Sequence, residues 1–150
     1  MQRHFPVIRS DAEDAIWQAG PEVAFVAPVS GWQGFVIRPL PSFAPVICDF
    51  VAALSARLLK EGRENPDLAA FGFWLRQRQI EVQRKRMAGR APLGMVFHLV
   101  PSNVPTVAFY SWVMALLMGN GSVVRLSSRI DPVQEAMLTI LNELFSLPRS

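Results

Sequence analysis

From Pro45 onward the apolar positions fall at helical spacing. Ile47, Val51, Leu54 and Leu58 form one stripe with Phe50 beside it, which predicts a helix that stops at Gly62. Asn65-Pro66-Asp67 is a second helix start, with Asn as N-cap, Pro at the first helical position and Asp against the dipole. The pattern carries this helix toward Met87, with Leu68, Phe71, Leu75 and Ile80 facing inward. Gly72 within it signals either close packing or a weak spot of about 1 kcal/mol relative to Ala.

The second half alternates between short apolar runs and longer helical patterns. A strand over Met95 to Val100 precedes a helix from about Pro105 to Met118. A strand over Ser122 to Leu126 precedes a helix from Pro132 to about Phe145. Asp131 caps that last helix, and Val133, Ala136, Met137, Ile140, Leu141 and Leu144 follow its 3.6 period. Unalternating strands separated by helices imply a parallel sheet, buried on both faces and joined by right-handed crossovers. The first forty residues carry weaker signals. Ser10 and Glu13 make a capping box ahead of a short helix, Asp11 to Ala19, and Val23 to Val26 and Gly34 to Ile37 resemble short strands. The expected fold is α/β: a single domain over 1–150, mostly helical over 1–90, with a βαβα unit over 91–150. The chain stops where a further strand is expected, so the domain reads as incomplete.

Composition changes this picture in two places. Hydrophobic residues make up 51% of the chain and mean hydropathy is +0.24, which suggests apolar surface for a partner, for self-association or for further chain. Net charge is +3, and Arg76, Arg78, Arg84, Lys85, Arg86 and Arg90 supply much of the excess in one stretch. A solvated helix end is the favoured reading of that stretch. Steering of an anionic ligand is the next, and no nucleic-acid motif accompanies it. The single cysteine, Cys48, fits a reducing compartment. The N-terminus lacks the apolar region of a secretory signal. The longest apolar stretch, Val104 to Met118, falls short of the ~20 residues of a membrane span. A cytoplasmic location is expected.

Candidate chemistry gathers at the carboxyl ends of the two later strands, where open α/β sheets bind ligands. Asn103 sits at a strand–helix junction, where it can cap the helix or donate its amide to a developing oxyanion. Arg125 interrupts an apolar strand near its end, with Ser127 and Ser128 following. A buried charge is costly, so Arg125 should reach outward, to an ion pair or to a cofactor ribose or phosphate. His98 reads as a core histidine with a satisfied hydrogen bond, and Cys48 as an inert buried thiol. No set of ligands at metal spacing and no glycine-rich phosphate loop is present, so no metal site is expected.

The run Pro92-Leu-Gly-Met-Val-Phe-His-Leu-Val-Pro101-Ser-Asn103-Val-Pro105 resembles the aldehyde dehydrogenase superfamily pattern P-x-G-V-x-x-x-x-x-P-W-N-x-P. Ala115-Leu-Leu-Met-Gly119-Asn120, with Val123-Val124-Arg125-Leu126-Ser127-Ser128, resembles that superfamily's A-L-x-x-G-N-x-V-V-x-K-P-S-E. His98, Ser102 in place of Trp, Tyr110-Ser111-Trp112 and Arg125-Leu-Ser-Ser-Arg129 are closest to the LuxC-type acyl-CoA reductases.

The resemblance implies an aldehyde-dehydrogenase-like, Rossmann-type sheet flanked by helices. It implies reduction of a fatty acyl thioester, from acyl-CoA or an acylated partner protein, to the aldehyde through a cysteine thioester. Val100, Pro101 and Ser102 would line the cofactor cleft, and Asn103 would be the oxyanion-hole amide. Arg125 stands where the superfamily has a ribose-contacting lysine, and Ser127 would add a hydroxyl donor. Ser128 stands where most members have a ribose-binding glutamate. Loss of that carboxylate beside Arg125 and Arg129 favours NADPH over NADH. The family's catalytic cysteine lies downstream of this segment, so the chain alone is expected to be inactive. A reading from another class is a non-catalytic interaction module that binds a partner chain.

Overall fold

A computed structural model describes residues 7–8, 39–99, 105–125 and 132–146. The expected helix over 11–19 and strands over 23–26 and 34–37 lie outside the described residues. The elements in chain order are β1 (Val7–Ile8), α1 (Pro45–Glu61), α2 (Pro66–Trp74), α3 (Gln77–Arg86), β2 (Met95–Leu99), α4 (Pro105–Leu117), β3 (Gly121–Arg125) and α5 (Pro132–Ser146). The three strands form a parallel sheet in the order β1-β3-β2. The two longer strands are joined by α4, so β2-α4-β3 is the expected crossover, its bounds within a residue or so of the sequence reading.

α4 explains how the layers assemble. Ala108, Phe109, Trp112, Val113, Leu116 and Leu117 are all buried, as suits a helix apolar around most of its circumference. One side packs on β2 and β3, and the other meets α1, α2 and α5. The core is therefore one continuous cluster, from Val51, Leu54 and Leu58 of α1 through α4 to Met137 and Ile140 of α5. Phe71 and Trp74 of α2 meet Tyr110 of α4 edge-on, at 4.6 and 4.9 Å between ring centroids. Burial, and after it the carboxylate of Asp67, raises the pKa of that tyrosine.

Two glycines carry close approaches. The carbonyl of Gly72 accepts a hydrogen bond from Ser55 Oγ at 2.7 Å, and a Cβ at Gly72 would lie 2.8 Å from Leu58 Cβ. The expected close packing at Gly72 is thus the α1–α2 crossing. Gly119 ends α4 at φ +83, and a Cβ there would lie 1.9 Å from the carbonyl oxygen of Leu40.

That approach belongs to a strap. Residues 40–43 cross the end of α4, where carbonyls have no partner within the helix. Leu40 N–H donates to Gly119 O at 2.9 Å, Phe43 N–H to Leu117 O at 2.5 Å, and Ser42 Oγ to Met118 O at 3.3 Å.

Three expectations need correction. The helix expected to run from Asn65 toward Met87 is two helices. Leu75 closes α2, and Arg76 is extended at φ −60, ψ 146. Leu75 is buried, so core packing fixes the bend where neither Gly nor Pro announces one. Burial on both faces is found along β3, where Ser122, Val123 and Val124 are all buried, but not along β2, where Phe97 and Leu99 are 53% and 69% exposed. α4 covers the opposite face, and the other described helices meet the strands at most glancingly. Cys48 is half-buried rather than buried, because it lies on the edge of α1, where Arg84 Nη2 reaches its Sγ at 3.5 Å. No described helix is long and apolar enough to cross a membrane.

Candidate functional site

The register of the sheet fixes where chemistry can gather. Leu99, the last residue of β2, pairs with Arg125, the last residue of β3, and Arg125 also pairs with Ile8. Neighbouring strands lie ~4.8 Å apart. The described parts of β2 and β3 therefore end side by side on one rim.

Arg125 is the one residue of the expected set within the described residues. It is exposed at the tip of the central strand, as the cost of burying a lone charge requires. Among the described residues it has no ion-pair partner. Val100, Pro101, Ser102, Asn103, Ser127 and Ser128 lie outside the described residues.

Beneath the rim sits His98, 6% exposed on the α4 face of β2. Its Nδ1 lies 3.0 Å from Ser111 Oγ on α4, and its Nε2 3.2 Å from Ser122 Oγ on β3. One imidazole thus joins all three elements of the crossover, and the satisfied core histidine expected from the sequence is found. Burial lowers its pKa from the ordinary value. In the neutral ring one nitrogen donates and the other accepts, and a serine hydroxyl can match either role.

Sequence reasoning missed Asn120. It is buried at the head of β3, and its Oδ1 accepts N–H groups from Leu93 at 2.6 Å and Gly94 at 2.9 Å. Gly121 N–H adds a bond to Gly94 O at 2.8 Å. The signal was present as Gly119-Asn120, which reads as a turn. A turn alone does not require that its Asn be buried. Asn120 sets the start of β2 against the start of β3, and so sets which residues reach the opposite rim together.

Cys48 lies at the other end of the sheet. Its Sγ is 3.5 Å from the carbonyl oxygen of Phe43, within the strap over the end of α4, and that end leads into the start of β3. A cavity of about 390 Å³ lies between α1, α2 and α5, away from the strand tips, and its polar lining is largely self-paired. Arg57 meets Glu61 at 3.7 Å and also pairs with Glu143.

What the described geometry offers is a sheet rim with an exposed cation, two strand ends side by side, and a hydrogen-bonded crossover beneath. No curated protein and no solved structure matches the chain. The family model for the acyl-CoA reductase LuxC matches residues 73–147, half of the chain, which spans α3, β2, α4, β3 and α5. The protein belongs to the LuxC family of acyl-CoA reductases.

Proposed function

We propose that this chain forms part of an enzyme that reduces a fatty acyl thioester to the aldehyde with NADPH, through a cysteine thioester. The acyl donor is acyl-CoA or an acylated partner protein, the setting is cytoplasmic, and the fold is an aldehyde-dehydrogenase-like, Rossmann-type domain. One observation carries the reading: the pairing of Leu99 with Arg125 inside the family-matched segment. It starts the segment holding Asn103 and the segment holding Ser127 and Ser128 from neighbouring strand ends, where ligands bind open α/β sheets.

The residues present fit such a cofactor. Arg125 is an exposed cation at the rim, suited to a phosphate or ribose oxygen. Ser127 and Ser128 would add hydroxyl donors, and a serine at 128 puts no carboxylate against a 2′-phosphate. Val100, Pro101 and Ser102 would wall the cleft. NADPH, when bound, supplies hydride to the acyl carbon. Asn103 would donate its amide N–H to the acyl oxygen as negative charge develops there, in a geometry fixed before reaction. The thiolate has to come from outside residues 1–150, since Cys48 is the one cysteine and lies at the far end of the sheet.

The test uses the full-length gene product with acyl-CoA and NADPH. Asn103→Ala should lower turnover roughly 100-fold or more with an unchanged fold, and Arg125→Ala should raise KM for NADPH. A fully active Asn103→Ala enzyme removes the oxyanion role. Absence of any acyl-CoA-dependent NADPH oxidation in the unmodified protein removes the reductase reading.

A further inference from the structure

We propose that the segment from Phe73 to Leu93 docks the protein onto a membrane surface bearing anionic lipids. The observation is a concentration of charge. Residues 73–93 hold six cations and one carboxylate, net +5, whereas the whole chain is +3, so the remaining residues together are net −2. Arg76, Arg78, Arg84, Lys85, Arg86 and Arg90 are all exposed. Arg84 pairs with Glu81 at 3.2 Å, and Arg76 lies over the Phe73 ring at 3.9 Å. Among the described residues Arg78, Lys85, Arg86 and Arg90 have no carboxylate partner.

The helix dipole explains only part of this. It favours cations in the last turn of α3, where Arg84, Lys85 and Arg86 sit, and it fades beyond that turn. Arg78 is in the first turn and Arg90 lies past the helix, so neither gains from it. A cluster of four to eight cations at a surface is the electrostatic footprint of anionic lipid headgroups.

The apolar residues decide between lipid and other anions. Phe73 is 56% exposed, Val82 40% and Leu93 86%, all within the same charged segment. The backbone of Leu93 is anchored, because its N–H is bonded to Asn120 Oδ1. A phosphate-lined polyanion offers such side chains nothing, whereas the headgroup–acyl boundary buries them. The inference does not rest on the reductase reading.

The experiment is co-sedimentation of the protein with vesicles of phosphatidylcholine alone, or with roughly one third phosphatidylglycerol. Binding is expected to the second only, and to weaken from about 0.05 M to about 0.5 M salt as screening shortens. The triple variant Arg78→Gln, Lys85→Gln, Arg86→Gln should bind roughly 100-fold more weakly. Val82→Ser should also weaken binding, at unchanged net charge. Should the triple variant fail to fold by circular dichroism, Arg78→Glu alone serves, since a carboxylate in the first turn suits the dipole. Equal binding to neutral vesicles, no binding to either, or retention by the charge variants overturns the proposal. So does tighter binding to an oligonucleotide than to vesicles at equal anionic charge.

Discussion

Asn120 Oδ1 accepts the backbone N–H of Gly94 at 2.9 Å, tying the head of β3 to the approach of β2, 26 residues earlier in the chain. Leu93 N–H shares the same oxygen. Removing it leaves two donors without their acceptor in a partly buried place. Each such loss costs about 1–3 kcal/mol. Asn120→Ala is expected to lower stability by roughly 2–4 kcal/mol, read from urea unfolding. Asn120→Asp keeps an acceptor at the same place and should cost clearly less. Equal costs for the two would mean that the tie is not what Asn120 contributes.

Gly119 and Gly89 make an internal comparison. Both have positive φ, +83 and +77, but only Gly119 has backbone where a Cβ would go. Gly89→Ala should cost about 1–2 kcal/mol, the conformational penalty alone. Gly119→Ala must also displace the Leu40 carbonyl, and is expected to reach or pass the ~4–5 kcal/mol that single changes seldom exceed. Thermal melts of the two variants, or loss of soluble Gly119→Ala protein, decide it.

At Gly72 two effects oppose each other. Helix propensity favours Ala over Gly by about 1 kcal/mol. Against that, the added carbon would sit 2.8 Å from Leu58 Cβ and 3.1 Å from Leu59 N, and neither is the free end of a side chain. Overpacking of this kind costs about 1–3 kcal/mol. Gly72→Ala should therefore be destabilising, shown by a lower urea midpoint, and a rise in midpoint would refute the tight α1–α2 crossing.

His98 gives the protein a defined pH response. Its folded pKa is lowered by burial, so between that value and the ordinary one near 6.5 the unfolded chain binds the extra proton. Its contribution is complete above about pH 6.5 and is lost as pH falls through the folded value. The stability difference between the wild type and His98→Gln should narrow on acidification from about pH 7.5 to about pH 5. Urea titrations across that range test the sign, and a widening gap contradicts it.

The elements that were legible in the sequence are those whose limits are local. Pro45 and Gly62 bound α1, the side chain of Asn65 caps α2 as read, and Pro105 and Pro132 open α4 and α5. The stripe Ile47, Val51, Leu54 and Leu58 is buried throughout. What escaped is set by contacts distant in the chain. The bend at Leu75 and Arg76 answers to the core around Leu75. Ser55, Ser122 and Gln134 are polar yet buried, which no hydropathy pattern reveals. Phe97 and Leu99 are as apolar as a two-sided strand should be, but hydropathy does not say which face is covered. Of the candidate site, Arg125 and its place at the strand tip were legible because a charge ending an apolar run has one inexpensive direction to point.

The strap of residues 40–43 bears on where this family's boundaries can be drawn. The family-matched stretch begins at Phe73, yet the last carbonyls of its central helix are satisfied by residues some thirty positions earlier. A protein excised at that border would expose the end of α4 to solvent and remove the α1 side of its core. Recognisable ancestry and the capacity to fold independently therefore have different edges here, and any expression design should begin ahead of Leu40.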